Sequence, residues 1–429
     1  MKLFERLFKH ITLAFLLCFF APSTASSPNN EPTLQADSIE ISLLTCGPRQ
    51  QVYSLYGHTA IRFQDKQTGR DIAINYGVFS FDQPFFVLRF VFGLTDYEMG
   101  IAPFDIFEWE YGPTGCGVRQ QVLNLTAQEK MAIAQAVDRN MEPQNRVYRY
   151  NFFYDNCTTR ARDIIANNLN GRIVYDSSTP QHLNTSTPQH HNTPAQYPTF
   201  RNLIHNYNET HRWARFGNDL LLGVKADYNT TFEQQQFLPE RLCADFERAH
   251  IISTDGTKRN LVSSSFWLFE PTTKQQSTQQ TNMSILDIFS PLVTFSILSI
   301  LTLIIAIVEY RRKRIIWVFD TSLMLTTGAC GLLLFAMIFS QHPTVSLNLQ
   351  ILLLNPINIF MLYSVTKAAR QNRIHWWTKA WSALILLLLA GSFLQSYAEG
   401  ITIVALSLLL RNISNIYTFK NTGSKQPEA

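Results

Sequence analysis

No Cys-x-x-Cys pair occurs anywhere in the 429 residues, which removes the usual spacing of a structural zinc site. The six cysteines stand far apart, at positions 18, 46, 116, 157, 243 and 330. The part before residue 284 has no basic patch interleaved with aromatics, so the net charge of +4 gives no nucleic-acid footprint. Cys18 lacks the small preceding residue of a lipid-attachment signal, because Leu17 stands there. The apolar C-terminal part shows no internal repeat, which argues against an alternating-access transporter.

What is present divides the chain in two. Hydrophobic residues make up 46%, and a mean hydropathy near zero averages two unlike parts. Residues 1–283 read as a globular mixture, and residues 284–417 are dominated by apolar runs. Lys2, Arg6 and Lys9, the apolar stretch Ile11 to Ala21 and the small residues of "APSTASS" read as an export signal over residues 1–25, with an uncleaved anchor as the alternative. Five spans are expected at about 284–308, 316–340, 347–366, 381–397 and 400–417, with a cytoplasmic tail at 418–429. The connectors "EYRRKRIIW" and "KAARQNRIHWWTKAW" fall on one side, and their Lys and Arg residues make that side cytoplasmic. Trp317, Trp376, Trp377 and Trp381 suit interfacial anchors. Both signals place residues 26–283 outside the cytoplasm.

Within the exported part, "SIEISLLTC" reads as a strand. "HTAIRF" and "DIAINY" alternate with period two and read as a hairpin. A register pairing Arg62 with Asp71 sets Ala60 opposite Ala73 and His58 opposite Asn75. "LTAQEKMAIAQAVDRNM" is a helix with Thr126 and Glu129 as its capping box. "CTTRARDIIANNL", "FRNLIHNYN", "WARFGNDLLLG" and, after a Pro break, "QQQFLPERLCADFERAHI" are further helical stretches. The tandem "STPQHLNT" and "STPQHHNT" at 178–193 reads as an expanded surface loop or, through His182, His190 and His191, a metal site. Residues 271–283 read as a polar linker.

"NFFYDNCTTRARD" sets Cys157 at the start of a helix. It reads as half of a disulfide, a metal ligand or a nucleophile. An oxidising compartment favours pairing among Cys46, Cys116, Cys157 and Cys243, and four cysteines allow three pairings. A helix N-terminus also favours a thiolate, and a nearby histidine supplies a base. His58, in "YGHTAI" at the mouth of a strand, is the candidate base, and Asn75 the candidate orienter of its ring.

"SLLTCGP", "YSLYGHTAIRF", "INYGVFSFD" and "YRYNFFYDNCTTRARDII" together resemble the N-terminal periplasmic domain of the Lnb family, bacterial lipoprotein N-acyltransferases. The resemblance continues through "FRNLI", "RFGNDLLLG" and "FLPERL" into the membrane half. His before Cys, with the Cys at a helix start, also resembles the circularly permuted papain-like fold of lipid-acyl enzymes. The fold expectation is therefore α+β, a permuted papain-like Cys-His domain over 26–270 followed by an α-helical transmembrane bundle, in the bacterial inner membrane with its catalytic domain in the periplasm. The resemblance implies Cys157 as nucleophile and His58 as base. It implies transfer of an acyl chain from a phospholipid, through a Cys thioester, to the α-amine of diacylglyceryl-cysteine. The implied partners are a phospholipid donor, diacylated lipoproteins and the membrane, with no cofactor, metal or nucleic acid. Tyr154, Asp155, Asn156 and Arg160 are candidate substrate contacts, as are His342 and Asn348 in the loop "SQHPTVSLN". Surface ion pairing of Arg160 and capping of span ends by the loop are the alternatives. Asn355, Pro356 and Asn358 interrupt the third span and read as a lipid-access groove or as helix packing. A cell-wall amidase or peptidase and a non-catalytic membrane scaffold are the rival functions.

Overall fold

The computed structural model describes residues 36–49, 51, 54–79, 84–176, 197–272 and 289–420. The expected export segment, the tandem repeat and residues 273–283 of the linker lie outside them. A seven-stranded antiparallel sheet runs in the order β10-β5-β1-β2-β3-β4-β6. Its strands are β1 Ile39–Cys46, β2 His58–Asp65, β3 Arg70–Val78, β4 Asp96–Pro103, β5 Val118–Leu123, β6 Val147–Arg149 and β10 Val262–Phe269. A second sheet joins β7 Gly171–Val174, β8 His250–Ser253 and β9 Lys258–Asn260. The helices of this part are α1 Phe86–Val91, α2 Phe104–Tyr111, α3 Ala127–Met141, α4 Cys157–Ala166, α5 Phe200–His205, α6 Arg212–Leu221 and α7 Pro239–Arg248.

Strand β1 is buried on both faces, which is why its apolar run is nearly continuous. One face carries Ile41, Leu43, Ile61, Ile74 and Tyr76 into a core with α3, α4 and α7. The other carries Leu44, Cys46, Ala60 and Ala73 onto Phe104, Phe107 and Tyr111 of α2.

The hairpin register differs from expectation by two residues: Ala60 pairs with Asn75, Arg62 with Ala73 and Gln64 with Asp71. The turn Lys66–Gly69 sets it by closing on the Asp65–Arg70 pair. Its anchor is Asp65, whose carboxylate accepts from Ser38 Oγ, Gln67 N and Thr68 Oγ1. A shift of two preserves the faces, where a shift of one would invert them. Arg62 still forks Asp71 diagonally, at 2.9 and 2.6 Å.

Five helices follow: α8 Pro291–Arg312, α9 Trp317–Ile338, α10 Ile357–Arg370, α11 Trp376–Gly391 and α12 Ile401–Lys420. Among the described residues, four segments are long and apolar enough to cross a membrane, 291–312, 317–338, 349–370 and 401–419, and α11 is a shorter apolar helix. At 16 residues, α11 is about 24 Å long. Helix α12 runs to Lys420, beyond the expected end of the last span.

Trp377 and Trp381 are bundle core, not interfacial anchors: their indole N–H groups donate to Asn358 Oδ1 at 2.8 Å and to Leu353 O at 3.0 Å. Asn358 also donates to Thr327 Oγ1 at 2.8 Å, so its amide serves helix packing. Buried Arg411 bonds both Glu309 and Asp320, clamping α12 to α8 and α9, as buried charges require partners.

The exported part and the bundle are joined by backbone as well as side chains. Gly223 N donates to Thr344 O and Val224 N to Leu347 O, both at 2.8 Å. A Cβ at Gly223 would lie 2.1 Å from Leu347 O, so no larger residue fits. Gln350 and Gln395 reach the carbonyls of Asp219 and Leu222, and Ser396 N reaches Asp227. Arg201, from "FRNLI", ties Asp219 to Asp227 beneath this seam.

Candidate functional site

Two local structures meet at the open end of the large sheet. The first is the start of β2. Gly57 holds a φ of +76°, and a Cβ there would come within 2.5 Å of Cys46 O, so glycine is required just before His58. The second is the start of α4. Asn156 caps it: Oδ1 accepts from the N–H of Thr158 and Thr159, both at 2.9 Å, and Nδ2 donates to Phe152 O and Phe237 O. Cys157 is the first residue of the helix. The hydroxyls of Thr59 and Thr158, 3.0 Å apart, lock the helix to the strand.

This sets the Cys157 thiol and the His58 imidazole near enough to interact through charge and a side-chain hydrogen bond. Asn75 Oδ1 accepts from His58 Nε2 at 3.0 Å. An amide oxygen can only accept, so Nε2 carries the proton and Nδ1 is the nitrogen left for the thiol. Burial pushes the Cys157 thiol up, but His58, the Thr59 N–H and the Thr158 hydroxyl outweigh it, and the net direction is down. Burial likewise opposes the His58 imidazolium, but Cys157, Asn75 and Glu110 carry the imidazole up. Each group thus favours the charged form of the other. Cys46 and Cys243 differ: burial dominates, and both thiols are pushed up. All four cysteines of the exported part are unpaired.

A further shell surrounds the pair. Tyr111 lies parallel to His58, with ring centroids 6.4 Å apart. Arg49 sits 3.9 Å over the Tyr111 ring and 3.5 Å from Glu110. Asn218, in "RFGNDLLLG", donates to Tyr56 OH at 2.8 Å, linking the residue two before His58 to the membrane seam. Tyr56 and Asn218 lay inside readable motifs, but their pairing spans most of the exported part. Nothing in the sequence singled out Tyr111.

The structure places Cys157, His58 and Asn75 next to one another, with Asn75 diagonal to His58 rather than directly opposite. The other candidate residues have internal partners. Asp155 and Arg160 form a two-pronged pair at 2.6 and 2.7 Å, with the guanidinium 3.5 Å over the Tyr148 ring. Asn156 is the helix cap. Asn348 donates to Leu220 O at 2.7 Å and accepts from Gln350 and Gln395, so its amide belongs to the seam. His342 lies against Phe90 beside α1, where burial lowers its pKa. Tyr154 packs edge-on against Phe200 and is partly exposed near the helix start.

Residues 27–203 match the Lnb N-terminal periplasmic domain, and residues 280–422 match the Lnb transmembrane domain. No curated protein and no solved structure matches the chain.

Proposed function

The chain belongs to the Lnb family, as a multi-pass inner-membrane protein with a periplasmic domain, and from that premise we propose that it is a lipoprotein N-acyltransferase. Membership by itself points to a lipoprotein-related membrane enzyme. The observation that carries the finer reading is the Cys157–His58 pair, at a helix N-terminus on a domain fastened to a membrane bundle.

In the first half-reaction, His58 Nδ1 takes the thiol proton and Cys157 Sγ attacks the carbonyl carbon of a phospholipid acyl ester. The carbonyl oxygen gains negative charge, for which the N–H of Cys157 is the proposed donor. The C–O bond then breaks, the imidazolium protonates the departing lysophospholipid oxygen, and a thioester remains on Cys157. In the second half, the neutral α-amine of diacylglyceryl-cysteine attacks the thioester carbonyl. His58 accepts the amine proton and passes it to the departing sulfur as the C–S bond breaks, so that an amide, a free thiol and a neutral imidazole result. Asn75 keeps the ring aligned in both halves. His58 preceding Cys157, and a helix-start cysteine lying against the strand that bears the histidine, support the permuted papain-like description.

A cell-wall amidase would use the same pair. The fused seam disfavours it, because it fastens the domain that bears the pair to the membrane bundle, which suits lipid substrates better than wall peptides. The test is the N-terminal mass of a reporter lipoprotein from cells that lack their own N-acyltransferase. One added acyl chain with the wild type, and none with Cys157→Ser, is the expected result. A diacylated N-terminus with well-inserted wild-type protein would sink the proposal.

A further inference from the structure

Between β3 and β4 the chain leaves the sheet beside the candidate nucleophile. A Cβ on Gly77 would lie 3.8 Å from the Cys157 Cβ. Soon after, the chain forms the short helix α1, whose neighbourhood carries large apolar side chains facing outward: Phe85 is 77% exposed, Leu88 56% and Phe90 49%. A water-facing surface rarely gathers three such groups on one short excursion. The charged residue of α1, Arg89, pairs with Asp96 at 2.6 Å and so keeps its charge compensated.

The position of α1 says what covers these side chains. Gln341 N donates to Phe92 O at 3.0 Å, and a Cβ on Gly93 would come within 3.2 Å of Gln341 N. Gln341 follows the outer end of the membrane helix α9. That helix exposes Leu332 and Phe335, and its C-terminal cap Phe339 is exposed as well. The exposed apolar side chains around α1 therefore stand on a segment bonded to the loop at the outer end of a membrane span.

We infer that the segment around α1, from Phe85 to Gly93, inserts into the outer leaflet of the membrane and forms the bilayer-facing approach to Cys157. Insertion rests on the membrane topology. Its use as an acyl-chain approach rests on the proposed acyl transfer.

The test places p-benzoylphenylalanine at Leu88 of the full-length protein, in vesicles of phosphatidylethanolamine and phosphatidylglycerol carrying a radiolabelled phospholipid. The same label at Gln67, in the exposed turn at the far end of the hairpin, is the control. Irradiation is expected to give a lipid adduct at Leu88 and none above background at Gln67. Equal yields at the two sites would overturn insertion. The adduct needs no catalysis, so its formation in Cys157→Ser separates this inference from the acyl-transfer reading. The second arm is the double variant L88E/F90E, with its fold checked by selective alkylation of Cys157 at neutral pH. Loss of transfer from vesicle phospholipid is expected, and retained wild-type transfer would overturn the approach role.

Discussion

His58 Nε2 lies 3.0 Å from Asn75 Oδ1 on the neighbouring strand, diagonally across the ladder, and this fixes which imidazole nitrogen faces Cys157. If His58 moves protons in both half-reactions, His58→Ala lowers acyl transfer about 10²–10⁴-fold. Asn75 is bonded to the ring as its positioning residue, so Asn75→Ala is expected to lower kcat by less and leave KM unchanged. Steady-state kinetics on both variants check the split.

Alkylation of Cys157 by iodoacetamide reports its thiolate. Its pKa is depressed, so labelling persists below the ordinary thiol value of about 8.5 and fades only as pH falls through the lower value. In His58→Ala the midpoint moves up. Burial raises the pKa of Cys46 and of Cys243, so neither is labelled at neutral pH in the folded protein. Peptide mapping across a pH series distinguishes these sites.

Asn156→Ala removes the cap of α4 and is expected to cost about 1 kcal/mol of stability. It also frees the carbonyls of Phe152 and Phe237, so the helix start that positions Cys157 loosens. Thermal unfolding and the Cys157 alkylation rate should both change. An altered melting temperature with unchanged alkylation would place the cap outside the site's geometry.

The carboxylate of Asp219 is desolvated, which raises its pKa, but His205 and Arg201 outweigh this and hold it down. A carboxylate with a depressed folded pKa stabilises the fold above its unfolded value of about 3.9 and loses that contribution as pH falls through the folded value. Asp219→Ala leaves Asp227 as the carboxylate partner of Arg201, beside the Asp219 and Leu222 carbonyls, and is expected to cost about 3 kcal/mol. The variant should lose less stability on acidification than the wild type. Denaturation at several pH values checks this.

Much of this was legible in the sequence. The period-two hairpin, the capping box at Thr126 and Glu129, and the helix starting at Cys157 follow from local chemistry, and each formed where expected. His58 and Asn75 were legible as a pair because the true register differs from the expected one by an even number of residues. The seam was not legible. Asn348 is polar and precedes an apolar stretch, which suits a head-group contact equally well, and its partners Leu220 and Gln395 are far away in the chain. Trp377 and Trp381 misled for a similar reason: tryptophans near a span end suit either an interface or a packed core, and only the placement of Asn358 and Leu353 decides.

The most direct test is to incubate the purified full-length protein in vesicles with a phospholipid bearing isotope-labelled acyl chains, without acceptor, and then digest it and weigh the peptides. The account predicts one labelled acyl chain on the Cys157 peptide, released by neutral hydroxylamine as a thioester must be, and passed to a diacylated lipopeptide when that is added. Transfer of label to the lipopeptide with no acylated Cys157, or with the acyl chain on another residue, would contradict it.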